Sequence, residues 1–223
     1  EFNYLQDKVF YTDNDVEAYR HITQSPVEAK AKAKTFRLYH LNAMHEPFTL
    51  TAEAQRKPDE AETSPLDQAR GTFLIVDTLL RQMRDAGVYD NSAIIITADH
   101  ANSAHVDGMS LNGPVYSPVL LYKPMNASGA MQINDAPAWL MDIRATLLSA
   151  AGLPYESEGI PLTELDEEET RTRYFYRAVG SSPRTFYEYS IGDQDANNFY
   201  NWTPTGKVFA PGGGTDAEAP DGE

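Results

Sequence analysis

The segment SAIIITADH, residues 92–100, constrains the fold more than any other stretch of this chain. Its apolar run from Ser92 to Ala98 is continuous rather than alternating, the pattern of a strand covered on both faces in a parallel sheet. The run ends against Asp99 and His100. An ionised carboxylate beside buried isoleucines is costly unless it is solvated or paired. Two arrangements answer that cost. Carboxylate and imidazole face one divalent cation at the carboxyl end of a strand, where α/β sheets bind ligands, or Asp99 opens a turn beside an exposed His100.

The surrounding pattern fits an α/β layering. Ser25 to Lys34, SPVEAKAKAK, combines a Ser-Pro start with good helix formers and predicts a short solvated helix. Phe36 to Asn42, FRLYHLN, alternates and is aromatic, which suits a strand, and Pro47 ends regular structure just beyond His45. From Leu66 to Ala86, apolar residues at Ala69, Phe73, Val76, Leu80 and Met83 keep helical spacing up to the stop at Gly87. Pro118 to Lys123 reads as a further strand, and Ala136 to Ala151 as a second amphipathic helix ended by Gly152 and Pro154. Beyond the acidic LDEEETR turn, RYFYRAV, RTFYEYSI and NFYNWT form short aromatic strands separated by SSP, GDQD and TPTG, which predicts an antiparallel meander. PGGGTDAEAPDGE has no apolar anchor and is expected to be disordered.

Charge and composition exclude several functions. With 18 basic against 33 acidic residues the net charge is −15, so the chain repels a phosphate backbone and no nucleic-acid partner is expected. It has no cysteine, which removes disulfides, thiolate zinc sites and cysteine nucleophiles, and leaves oxygen and imidazole as metal ligands. No apolar run is long enough to span a bilayer. The opening EFNYLQDKVFY reads like the interior of a domain, as in a fragment of a longer protein.

Three motifs carry a resemblance. TADH after an apolar strand, preceded by AGVYDNS, resembles the metal-binding Asp-His segment of the sulfatase and alkaline phosphatase superfamily. HLNAMHEPF is similar to that family's strand ending in His-x-Pro-Phe or His-x-Pro-Tyr, and DIRATLLSAAGLP to its Asp-Ile-x-Pro-Thr-Leu-Leu helix ending. They stand in family order between about Phe36 and Pro154.

The resemblance implies an alkaline-phosphatase-like, mostly parallel sheet flanked by helices on both faces, followed by a small antiparallel C-terminal sheet. It implies that Asp99 and His100 bind one divalent ion (Mn, Zn, Ca or Mg) and that His45 donates to a substrate oxygen. His105 is either a second substrate contact or an exposed loop histidine. The implied activity is that of a sulfatase-like hydrolase or phosphotransferase, lipoteichoic-acid-synthase-like enzymes included, acting on sulfate or phosphate esters of envelope glycans or lipids.

The family's acidic metal ligand and its nucleophile find no match in residues 1–35. Residues 1–223 are therefore expected to be inactive alone, as the C-terminal portion of an extracytoplasmic or membrane-anchored parent whose anchor lies upstream, while the piece itself is soluble. The expected division is a partial α/β domain over residues 1–165, a small sheet over 166–210 and a tail over 211–223. The competing reading is a non-catalytic binding module that keeps the scaffold. It draws on the missing nucleophile and on Ala101, which stands where relatives carry glycine.

Overall fold

In the computed structural model, placement is described for residues 14–29, 34–45, 47–57, 63–100, 118–156, 158–179 and 184–210. These form a mixed α/β structure with one two-stranded and one three-stranded sheet. They divide into two compact units, one built from residues up to Ile94 together with Lys123–Ala127, the other from the remaining described residues. Among the described residues no helix is long and apolar enough to cross a membrane.

In the first unit, α1 (Asn14–Gln24) packs against α2 (Pro65–Asp85). The start of α2 follows from local chemistry. Pro65 has φ preset for a first turn, and the Ser64 hydroxyl accepts the Asp67 N–H at 3.0 Å, satisfying one of the N–H groups that a helix leaves open. Ile22, Leu50, Ala54 and Ile75 form the core, with Val16, Tyr19, Leu41, Leu74 and Leu79 packed on it. Burial of each Ile or Leu contributes about 1.5–3 kcal/mol.

The buried side of α2 is Gln68, Gly71 and Ile75, not the expected stripe of Ala69, Phe73, Val76, Leu80 and Met83, and Phe73 is half exposed. Polar groups account for this rotation. The Gln68 amide accepts the Leu50 N–H at 2.8 Å and donates to the Ala43 carbonyl, while Gln82 donates to the Ile22 carbonyl at 2.8 Å. Gly71 lets the helix approach the chain at Thr51, where a Cβ would sit 2.2 Å from the Thr51 carbonyl oxygen.

Two expectations at the start of the chain need correction. The described part of Ser25 to Lys34 is not helical, and α1 ends just before it at Gln24. Phe36 to Asn42 forms no strand, and Phe36 and Leu38 are each 71% exposed. A strand exists only through a partner's ladder. Here the Asn42 and Ala43 N–H groups are taken by the Asp15 carboxylate at 2.7 and 2.8 Å instead.

β1 (Ile94–Thr97) and β2 (Leu120–Lys123) pair as the two-stranded sheet. Both are shorter than their apolar runs. Ile94, Ile95 and Ile96 are half-buried rather than covered on both faces. Lys123 ties the ends by donating to the Asp90, Ser92 and Pro124 carbonyls at 3.3, 3.1 and 3.1 Å, with its ammonium 4.7 Å from the Tyr89 ring centre.

In the second unit, α3 (Met141–Ala151) ends as expected at Gly152, whose φ of 69° closes the helix in the left-handed region. Its start is later than Ala136, because the Trp139 N–H is held by the Asp142 carboxylate at 2.7 Å. β3 (Arg173–Val179), β4 (Thr185–Ile191) and β5 (Thr203–Phe209) form the expected antiparallel sheet in sequence order. The third strand is displaced from NFYNWT. Phe199–Asn201 make a 3-10 turn there, and the strand takes in TPTG, with Gly206 at φ 82° and a bulge opposite Tyr187 and Tyr189. Pro204 is tolerated because β5 is an edge strand. The expected tail, residues 211–223, lies outside the described residues.

Candidate functional site

Asp99 and His100 follow directly on β1 and Ala98, so the strand delivers both side chains at its carboxyl end. Neither is buried: the side chains are 79% and 75% exposed. That removes the desolvation cost which the sequence posed. The His100 N–H donates to Asp99 Oδ1 at 3.0 Å, and His100 Nε2 lies 3.9 Å from the same oxygen. One carboxylate oxygen is thus engaged locally, and carboxylate and imidazole are ligands of the hard and borderline kind that divalent cations accept.

Two adjacent donors leave a shell one or two ligands short, since protein zinc sites use three or four ligands. Among the described residues no group of three or more His, Cys, Asp or Glu is placed to hold a metal. The pair can therefore join a metal site without constituting one.

His45 is exposed and sits at the end of a tight turn in the first unit. The turn is held from beneath. Asp15, 3% exposed, presents its two oxygens to the Asn42 and Ala43 N–H groups, and Gln68 donates to the Ala43 carbonyl at 2.5 Å. Ala43 has φ 46°, a left-handed conformation that costs a non-glycine residue free energy and persists only when its surroundings enforce it. The His45 N–H then closes on the Asn42 carbonyl at 2.9 Å. Burial pushes the Asp15 carboxyl above its ordinary range, although the two N–H donors and the charge of His40 pull the other way.

Asp15 and Gln68 carry no local sequence signal, because their roles depend on contacts 25 to 28 positions away. Asp15 falls in an acidic first helical turn and resembles any helix-start acid. Asp99 and His100 belong to the second unit, and His105 lies outside the described residues.

The second unit has its own buried polar hub. Asp142 is fully buried at the start of α3 and accepts from the Trp139 N–H at 2.7 Å, the Ile160 N–H at 2.8 Å and Arg171 Nη2 at 2.8 Å. Three charge-assisted donors satisfy an anion that burial alone would penalise. The Thr146 hydroxyl extends the hub by accepting the Leu162 N–H at 2.9 Å, and the Trp139 indole donates to the Tyr174 carbonyl on β3 at 3.0 Å.

Comparison of the chain with protein-family models, with curated proteins and with solved structures returns no match.

Proposed function

We propose that this chain is the C-terminal portion of a metal-dependent hydrolase or phosphotransferase of the sulfatase and alkaline phosphatase type, acting on sulfate or phosphate esters of cell-envelope glycans or lipids. The observation that carries the reading is the placement of Asp99 and His100, both open to solvent, directly after β1. The order of the three resembling motifs supports it.

In this proposal β1 and β2 belong to a larger parallel sheet, and residues outside 1–223 supply the acidic ligand and the nucleophile. The metal would lower the nucleophile's pKa and neutralise charge on the ester oxygens. This chain's part is narrower. Asp99 and His100 contribute an oxygen and a nitrogen ligand, and His45 donates a hydrogen bond to a non-bridging ester oxygen from its braced turn. The proposed location is extracytoplasmic, with the parent held at the membrane by an upstream segment.

A non-catalytic module with the same scaffold is the second reading, favoured by the His100 N–H bond that already engages Asp99 Oδ1.

Calorimetric titration with Mn²⁺ or Zn²⁺ of residues 1–223 and of the complete parent protein separates the readings. Expected are weak or no binding by the former, tight binding by the latter, and loss of both binding and ester turnover in Asp99→Asn and His100→Ala parents. Those variants should remain folded, because exposed side chains change stability within about 0.5 kcal/mol. Unchanged turnover in Asp99→Asn would remove the pair from the site, and equally tight binding by both proteins would defeat the incomplete shell.

A further inference from the structure

Arg171 and Arg173 flank the start of β3, and their guanidinium groups are poorly matched by acceptors. Arg171, 11% exposed, gives Nη2 to Asp142 Oδ1, but its Nη1 is buried with no hydrogen-bond partner. Arg173 donates Nη2 to the Gly192 and Gln194 carbonyls at 2.9 and 3.4 Å, and its Nε is likewise buried without a partner. Such orphaned donors are rare in folded proteins, because each forfeits its hydration for nothing. The charge is also unbalanced. Two guanidiniums face one buried carboxylate, Asp142, and burial together with the neighbouring Arg171 pushes the Arg173 guanidinium below its ordinary range.

An open recess of about 240 Å³, several times the roughly 30 Å³ of a liquid water, is lined by Thr170, Arg171, Thr172, Gly192 and Asp193; Arg173 does not line it but holds the carbonyl of Gly192, which does. We infer that the recess binds a tetrahedral oxyanion, a phosphate or sulfate group, between Arg171 and Arg173. The unsatisfied N–H groups sit on two different residues, so an acceptor must offer oxygens in different directions, which a tetrahedral anion does and a planar carboxylate does less well. Both donors are buried, so binding turns the Nη1 edge of Arg171 toward the recess. Asp193 is exposed on the rim and opposes the anion. The acidic turn at Asp166–Glu169 precedes the site without lining it. Neither Asp99 nor His100 takes part, so the inference does not depend on the proposed metal chemistry.

The test is titration of residues 1–223 with inorganic phosphate, sulfate and acetate in EDTA, followed by amide NMR shifts and calorimetry. Phosphate and sulfate should shift residues 170–173 and 192–194 saturably, with acetate weaker. A preference for one of the two anions would identify the group recognised. Arg173→Gln should weaken binding by about tenfold, the loss expected of one charge-assisted bond. Asp193→Asn, an exposed change that leaves the hub intact, should strengthen it severalfold. No saturable shift at the highest soluble anion concentration, shifts spread over the surface, or an Asp193→Asn variant that binds no more tightly would each overturn the inference. An Arg173→Gln variant that is folded by circular dichroism and binds equally well would overturn it too.

Discussion

Replacing Asp142 by alanine should be the most damaging single change in the second unit. The side chain has no exposure and accepts three hydrogen bonds, from the Trp139 and Ile160 backbone and from Arg171. Bonds to a charged group are worth about 1.5–3 kcal/mol each, but they share one acceptor and do not add. The larger loss is electrostatic. Arg171 would keep a mostly buried charge with no carboxylate partner, and breaking a buried pair from one side costs about 3–5 kcal/mol. Because 11% of the Arg171 side chain still meets solvent, the lower half of that range is expected.

Asp142→Asn should cost less. Its remaining oxygen can serve Ile160 and Arg171, while its amide nitrogen opposes the Trp139 N–H. Removing both partners, as in Asp142→Ala with Arg171→Met, should recover part of the loss, since no charge is then stranded. Urea unfolding followed by tryptophan fluorescence is the assay. Both tryptophans, Trp139 and Trp202, lie in this unit. A loss below about 1 kcal/mol for Asp142→Ala, the value of one ordinary hydrogen bond, would refute the argument.

Gly71→Ala gains about 1 kcal/mol of helix propensity, yet its Cβ would meet the Thr51 carbonyl oxygen at 2.2 Å, so thermal melting should show a net loss of roughly 1–3 kcal/mol. A stabilised variant would mean that α2 does not press on Thr51. Asp15→Ala leaves the Asn42 and Ala43 N–H groups without their acceptor and should cost about 1–3 kcal/mol, with faster amide exchange at both residues. Unchanged exchange there would show that the His45 turn holds without Asp15. Glu188 is 4% exposed. Burial raises its carboxyl pKa, but the hydrogen bonds from Thr205, Lys207 and Tyr176 and the charge of Lys207 outweigh that and bring it below the ordinary 4.5. A lowered folded value means that its stabilisation is complete above pH 4.5 and is lost as pH falls through the folded value. Glu188→Gln should therefore flatten the acid limb of the stability profile below pH 4.5, and an unchanged limb would exclude this carboxylate as its source.

Elements whose signals are local are legible in the residues alone. α2 begins where Ser64 and Pro65 supply its cap and first turn, and α3 stops where Gly152 takes a left-handed φ. β3 falls on RYFYRAV residue for residue, and Asp99 and His100 follow β1 as their position after the apolar run required. Each depends on neighbours within a few positions, which the chain carries wherever it folds. Pairings across long separations emerge only when the chain folds. FRLYHLN has a strand's composition, but a strand needs a ladder, and the N–H groups at its end go to the buried Asp15. The face that α2 buries follows Gln68 and Gln82, whose amides seek backbone partners 18 to 60 positions away, rather than the most apolar stripe. Arg171 and Asp142 look like ordinary surface charges in the sequence. They become a buried pair because the chain after α3 returns across its first turn, where the Ile160 N–H and Arg171 reach one carboxylate together.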